Sequence, residues 1–231
     1  MRCAARLLRC KAVYYDSETA MKLPVTKEYL ALALQDGCKT ETMTLSHHHV
    51  GDLTLPSGQL VACDPFIPLD AACFNLLLPC GTFPVLLSIA QIDTDQRVAY
   101  ATLRLLPAAP NTWVMMTVGD QDTSSLGKGE IFGYGVDSGT GCFMDLSVSH
   151  ALAERMGEQP DFYETLIAEM DKTYQHTWSW LDMKLGDANL IAFSSGYGDG
   201  AYATYAAQDT NGEVCAIVTD FGVVPPKGGA D

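Results

Sequence analysis

Two glycine-rich stretches carry most of the side chains in this sequence that could do chemistry. Residues 133–145 contain four glycines and two aspartates, and residues 194–202 have the same character. Glycine is used where the backbone must adopt a positive φ or where another group must approach it closely. Polar residues on such loops are typical of functional sites. We therefore predict that the two loops form one site.

The candidate binding residues all fall in a loop or at the end of a predicted strand. They are Asp64, Asp137, Ser138, Thr140, Asp145, Ser195, Tyr197, Asp199, Tyr202 and Asp220. Carboxylates gathered at strand ends would suit a hard divalent cation such as Mg²⁺ or Ca²⁺, which prefers oxygen ligands. The candidate metal ligands are Asp137, Asp145 and Asp199. The competing interpretation is that these aspartates accept backbone N–H bonds in turns, as aspartate often does.

Three functions are compatible with these residues. The first is binding of a small molecule or a protein without turnover. The second is metal-assisted hydrolysis, in which the aspartates hold a cation that activates water while Ser195 or Tyr202 orients the substrate. Its catalytic candidates are Asp137, Asp199, Ser195 and Tyr202. The third is an immunity or interaction protein whose acidic surface blocks a basic partner.

Short motifs of other enzyme classes lack the context that their chemistry needs. Residues 136–140 match the hydrophobic-Asp-Ser-Gly-Thr loop of aspartic proteases, but that mechanism requires two aspartates that share one proton, and the chain has one copy. The triplet at residues 220–222 matches a kinase metal-binding motif without the other kinase segments. The run His47, His48 and His49 alternates sides on a strand, so its members cannot all face one ion.

Composition indicates a folded acidic protein. The 231 residues are 48% hydrophobic and 18% charged, with a formal net charge of −14. That charge argues against nucleic acid as a partner, and the arginine-interrupted N-terminus argues against membrane insertion. The eight cysteines are scattered without a C-x-x-C pair, which favours a reducing cytoplasm. We expect a single domain over residues 1–231, with frayed ends at 1–10 and 225–231.

The first half of the chain is predicted to contain a helix and two hairpins. A strand is expected at 11–15 and a helix from an N-cap at Thr26 to Gly37. The apolar stretches on either side of residues 56–58 predict one hairpin, since Pro-Ser-Gly is turn chemistry. The β-rich runs 83–92 and 98–106 predict the other.

The second half is predicted to contain helices followed by strands. A strand is expected at 113–118, a helix capped by Ser147 or Ser149, and a second helix from Pro160 to Tyr174. Further strands are expected at 189–193, 201–207 and 214–220, with a tight Asn-Gly turn before the last one. This order indicates an α+β fold with a mostly antiparallel β-sheet core and a helical insertion around residues 147–185.

Several phrases in a fixed order resemble one known family. They read GDLTLPSG at 51–58, CDP at 63–65, GVDSGTG at 135–141, FMD at 143–145, SGYGDG at 195–200 and VTDFGV at 218–223. Together they resemble the bacterial domain-of-unknown-function family 4241 from about residue 51 to residue 224. The resemblance implies a soluble single-domain protein with no established activity. It supports the location of the site and leaves its chemistry open.

Overall fold

Two antiparallel β-sheets form the body of the protein in the computed structural model, which describes residues 10–11, 27–67, 71–127 and 129–225. In chain order the strands are β1 (Cys10–Lys11), β2 (Cys38–Lys39), β3 (Thr44–Leu55), β4 (Leu60–Cys63), β5 (Gly81–Ile92), β6 (Asp95–Arg104), β7 (Thr112–Met115), β8 (Glu130–Ile131), β9 (Tyr134–Val136), β10 (Thr140–Asp145), β11 (Trp180–Leu185), β12 (Ala188–Ser194), β13 (Gly200–Tyr202), β14 (Thr204–Gln208) and β15 (Val214–Asp220). The helices are α1 (Lys27–Ala31), α2 (Leu146–Glu158) and α3 (Phe162–Asp171). The predicted α+β class with a mostly antiparallel core is confirmed.

The larger sheet has seven strands in the order β2-β3-β5-β6-β15-β14-β7. The predicted β5–β6 hairpin is confirmed, and its turn is tighter than expected because Asp93 adopts a positive φ of 50°. The hairpin of β14 and β15 is also confirmed, with Gly212 at a φ of 82° in its turn. The single strand expected at 201–207 is divided, because β13 pairs with β9 in a separate ribbon while β14 pairs with β15 and β7.

The smaller sheet has four strands in the order β11-β12-β10-β4. The hairpin predicted around residues 56–58 is wrong, because β3 pairs with β5 in the large sheet whereas β4 pairs with β10 in the small one. The turn therefore carries the chain from one sheet to the other. Its conformation is fixed by Gly58, whose φ is 73° and where a Cβ would lie 2.2 Å from the Leu78 carbonyl oxygen. Turn residues reverse the chain but do not choose the partner of the strand that follows.

The helices differ from the prediction at their ends. The N-cap of α2 is Asp145, not Ser147 or Ser149, and its carboxylate accepts a hydrogen bond from the Ser147 N–H at 3.0 Å. The predicted insertion over 147–185 ends early, since α3 stops at Asp171 and β11 returns to the sheet. Near the N-terminus, α1 continues as a 3-10 turn over Leu32–Leu34. The Thr26 cap and most of the strand predicted at 11–15 lie outside the described residues.

Apolar side chains fill both faces of the small sheet. On one face the residues of the two sheets pack together, with Phe143 and Phe193 fully buried at a ring separation of 5.2 Å. On the other face α2 and α3 contribute Leu152 and Leu166 to a second buried cluster, which also contains Leu190 of the sheet. The helices therefore cover the side of the small sheet that the large sheet leaves open.

The two sheets are also joined by one buried polar side chain, that of Asn189 on β12. Its carboxamide oxygen accepts a hydrogen bond from the Thr54 N–H at 2.9 Å, and its amide nitrogen donates to the Asp52 carbonyl at 3.0 Å. The same nitrogen donates to the Asp182 carboxylate at 2.6 Å. The amide thus satisfies backbone groups on the side of β3 that faces away from β5.

We expect Asn189→Ala to lower the free energy of unfolding by about 2–4 kcal/mol, because the Thr54 N–H and the Asp52 carbonyl of β3 lose their partner. Asn189→Asp should cost more at neutral pH, since a carboxylate would face the Asp52 carbonyl and the Asp182 carboxylate. Chemical denaturation measures both effects. Asn111→Ala, at an exposed position, is the control and should change stability by less than about 0.5 kcal/mol. Equal stability of the Asn189→Ala and Asn111→Ala variants would contradict this account of how the sheets are joined.

Candidate functional site

The first glycine-rich loop is held by the buried carboxylate of Asp64, which follows β4. One carboxylate oxygen accepts the backbone N–H groups of Asp137 and Ser138 at 3.0 and 2.9 Å. The other accepts the Ser138 hydroxyl at 2.8 Å and the Phe66 N–H at 2.9 Å. Asp64 is 3% exposed, so its carboxylate oxygens are satisfied by these four donors rather than by water. Its role in the structure is to fix the turn between β9 and β10.

The second loop is closed by hydrogen bonds to its own backbone. The Ser195 hydroxyl donates to the Gly198 carbonyl at 2.9 Å, and the Tyr202 hydroxyl donates to the same oxygen at 2.6 Å. Gly196 has a φ of 58° and packs so tightly that a Cβ there would lie 2.9 Å from the Cβ of Phe221. Burial raises the pKa of Tyr202 to about 12, and the charges of Asp199 and Asp220 act in the same direction. Tyr202 is therefore a neutral hydrogen-bond donor at physiological pH.

The structure brings the two loops into direct contact. The Ser195 N–H donates to the Gly139 carbonyl at 3.0 Å, and the Gly139 N–H donates to the Asp199 carboxylate at 3.1 Å. The ribbon of β9 and β13 joins the loops on one side, and the pairing of Thr140 with Ser194 begins the β10–β12 ladder on the other. A rigid double loop results.

The side chains of this double loop divide into a buried and an exposed group. Ser195 is 1% exposed and serves the loop itself, as Asp64 does. Asp137, Tyr197 and Asp199 are exposed, Tyr197 to 63% of its surface. Within the described part of the chain no hydrogen bond to the Asp137 carboxylate is found. The hydroxyl of Ser138, which is also exposed, is bound to Asp64, and one oxygen of Asp199 is bound to the Gly139 N–H. Asp137 and Tyr197 are therefore the exposed side chains that make no hydrogen bond to either loop.

Arg97 belongs to the same surface and was not among the predicted site residues. Its guanidinium carbon lies 5.3 Å from the centre of the Tyr197 ring, a distance at which a cation is attracted to an aromatic face. Its Nε donates to Asp95 at 2.8 Å, which holds the guanidinium in place. The β5–β6 turn and the second loop are far apart in sequence, so no local pattern connects them.

Asp145 lies at the opposite end of β10 from the double loop. Five residue steps of extended strand separate it from Thr140, a distance of about 17 Å. Its carboxylate is fully buried and accepts hydrogen bonds from the backbone and hydroxyl groups of Ser57 and Ser147. Burial alone would raise the pKa of Asp145, but these hydrogen bonds outweigh it and hold the pKa below its ordinary value. It serves as a helix cap and a corner anchor.

Asp220 lies behind the second loop, at the end of β15. Its carboxylate accepts the Tyr29 hydroxyl at 2.9 and 3.0 Å and the Gly222 N–H at 2.8 Å. Burial raises the pKa of Asp220 to about 6, although both hydrogen bonds act to lower it. The residue that follows, Phe221, packs against Gly196. Asp220 therefore orders the end of β15, and the loop is contacted by its neighbour Phe221.

The predicted three-aspartate cation site is not assembled in this arrangement. Asp137 and Asp199 both flank Gly139, whereas Asp145 is at the far end of the strand. Over residues 27–67, 71–127 and 129–225, no group of three or more His, Cys, Asp or Glu side chains is placed to hold a metal ion. In the same part of the chain, no helix is both long enough and apolar enough to cross a membrane.

The geometry defines an antiparallel α+β protein with two mutually bonded glycine-rich loops at one end of its small sheet. A family model described as "Protein of unknown function (DUF4241)" matches residues 53–219, which include both loops, Asp64 and most of β15. The chain belongs to the DUF4241 family. No match to this chain was found among curated proteins or among solved structures.

We expect Asp64→Asn to lower the free energy of unfolding by about 2–4 kcal/mol, because an amide can accept at one of its two terminal atoms only. Ser138→Ala removes one of the four donors and should cost about 1 kcal/mol. Asp137→Asn, exposed in the same loop, is the control and should stay within about 0.5 kcal/mol of the wild type. Denaturant titration provides the measurement. Destabilisation by Asp137→Asn equal to that by Asp64→Asn would show that the loop is not anchored as described.

We expect Asp220 to make stability depend on pH. The folded state binds the Asp220 proton more tightly than the unfolded chain, where the pKa is about 3.9, so this group stabilises the fold at acid pH and that contribution is lost as pH rises through about 6. Asp220→Asn stays neutral. Its free energy of unfolding relative to wild type should therefore increase by about 1–3 kcal/mol between pH 4 and pH 7.

Denaturation at several pH values tests this expectation, with Asp187→Asn as a control for overall charge. Asp187 is exposed in the turn between β11 and β12. A difference between Asp220→Asn and wild type that is the same at every pH would contradict the raised pKa.

Proposed function

We propose that this protein is a binding domain without turnover, and that its site is the exposed surface of the double loop. The observation that carries the proposal is the contrast between the two groups of side chains. Asp64 and Ser195 are buried and engaged in holding the loops, while Asp137 and Tyr197 project from them. Asp199 is exposed as well, although one of its carboxylate oxygens accepts the Gly139 N–H. A preorganised surface loses little conformational entropy when it binds a partner.

The chemistry of this surface favours a ligand with a cationic group. Two exposed carboxylates attract an ammonium or guanidinium group, and the overall charge of −14 adds a long-range attraction. Tyr197 offers a large amphipathic ring, and tyrosine and arginine are enriched among the residues that contribute most to binding energy. The ligand is either a small cationic molecule or a protein that presents basic side chains.

The structure does not favour the hydrolase, since Asp145 lies away from Asp137 and Asp199. The hypothesis of an acidic interaction protein differs from our proposal in one respect: the whole acidic surface, rather than the loops, would bind the partner.

The proposal includes a cytoplasmic setting, supported by the six free cysteines among the described residues.

The test is a thermal melt with spermidine as the small-molecule probe and an arginine-rich peptide as the protein-like probe. A ligand at one hundred times its dissociation constant stabilises the folded state by about 2.7 kcal/mol, which raises Tm by several degrees. We expect one probe to raise the Tm of the wild type, and the double variant Asp137→Asn, Asp199→Asn to abolish most of that rise. The probe that acts identifies the kind of ligand.

The matched control is the double variant Asp161→Asn, Asp187→Asn, which removes the same charge from exposed positions outside the loops. It should retain the Tm rise. An equal loss in both double variants would overturn the loop site and favour binding by the general acidic surface. The absence of a rise with either probe would overturn the cationic ligand.

A further inference from the structure

Strand β11 forms one edge of the small sheet, and its outer side is open over most of its length. It pairs with β12 from Trp180 to Leu185 and has no strand on its other side in the described structure. An open edge presents unpaired N–H and C=O groups that can bind a further strand. Beside it lies a groove of about 370 Å³. It is lined by residues 180–184 of β11 and by Glu169, Lys172 and Thr173 near the end of α3.

The direction of each backbone group along β11 follows from the ladder. The Ser194 N–H donates to the Ser179 carbonyl, which places the backbone groups of residues 179, 181, 183 and 185 toward β12. Those of residues 180, 182 and 184 therefore point outward. The Thr173 hydroxyl confirms this alternation, because it contacts both the N–H and the C=O of Trp180, at 2.8 and 2.5 Å. Thr173 thus occupies one end of the edge and leaves the outward groups of Asp182 and Lys184 available.

The charges on the edge select one way of pairing it with a second copy of itself. If two β11 strands pair antiparallel about Met183, Asp182 lies opposite Lys184 of the other copy, and this happens twice. Antiparallel pairing about Asp182 instead would place the two copies of Asp182 opposite each other, and pairing about Lys184 would place the two copies of Lys184 opposite each other. Opposite charges in facing positions stabilise a strand pair and like charges destabilise it.

Hydrogen bonding and packing agree with the same register. Asp182 and Lys184 both have outward backbone groups, so the backbone of Asp182 in one copy forms a hydrogen-bonded pair with that of Lys184 in the other. Met183 faces its own copy at the symmetry axis, on the side of the sheet that is covered by the helices. Because the arrangement is two-fold symmetric, it closes on itself without leading to a fibre.

We propose that two copies of this chain associate through β11 in this register, which joins their small sheets into one continuous sheet. The inference does not depend on the proposed ligand of the double loop. None of the loop residues lies on β11, so the dimer would carry two copies of the loop site.

The test is a charge exchange measured by sedimentation velocity at micromolar concentrations. The wild type should sediment as a dimer. Lys184→Glu and Asp182→Lys each place like charges opposite each other twice, so each alone should weaken association about tenfold or more. An equimolar mixture of the two variants restores opposite charges at both positions and should form a heterodimer about as tightly as the wild type dimerises.

Lys39→Glu is the matched control, since Lys39 is an exposed lysine on β2, the edge strand of the large sheet. It should leave association unchanged. Far-ultraviolet circular dichroism of each variant checks that it folds, which matters for Asp182 because it accepts a hydrogen bond from Asn189. A wild type that stays monomeric would overturn the proposal, as would a dimer that neither charge change weakens. Failure of the mixed variants to associate would overturn the register.

Discussion

Buried polar side chains that stand in for missing backbone partners determine how this protein is put together. Asn189 satisfies the open side of β3, and Asp145 holds the turn that carries the chain from the large sheet to the small one. Asp64 does the same for the first glycine-rich loop. A buried polar group without a partner costs a large fraction of a protein's net stability. The position of each sheet, and of the loops between them, therefore depends on these few residues.

The same constraint limits what the loop site can do. A carboxylate that accepts four hydrogen bonds from the protein, as Asp64 and Asp145 do, has little capacity left for a ligand. In the binding function that we propose, recognition would fall to the exposed groups Asp137, Tyr197 and Asp199, with Arg97 over the Tyr197 ring. The glycines let the two loops approach closely enough to support each other. The double loop therefore has a hydrogen-bonded base and a polar exposed surface, a combination that would suit the recognition we propose.

Association through β11 would place this site in a larger assembly. The small sheet is covered on one face by the large sheet and on the other by α2 and α3, so its edge is where it can grow. Lys184 on that edge discourages indiscriminate pairing, as charged residues on edge strands do in general. In the proposed dimer Lys184 faces Asp182 of the other copy, and this attraction favours one partner strand and one register. A single strand thus avoids aggregation while allowing a defined dimer.

The sequence by itself determined the local elements and the family, because alternation, turn residues and motif order are properties of short segments. It placed the β5–β6 and β14–β15 hairpins and both glycine-rich loops. Only the tertiary structure decided which sheet β4 joins, that Asp145 caps α2 far from Asp137, and that Arg97 lies over Tyr197. These are contacts between residues far apart in the chain, and a turn or an aspartate has the same local signal whichever partner it finds. The pairing of strands and the burial of each carboxylate are set by how the two sheets pack together.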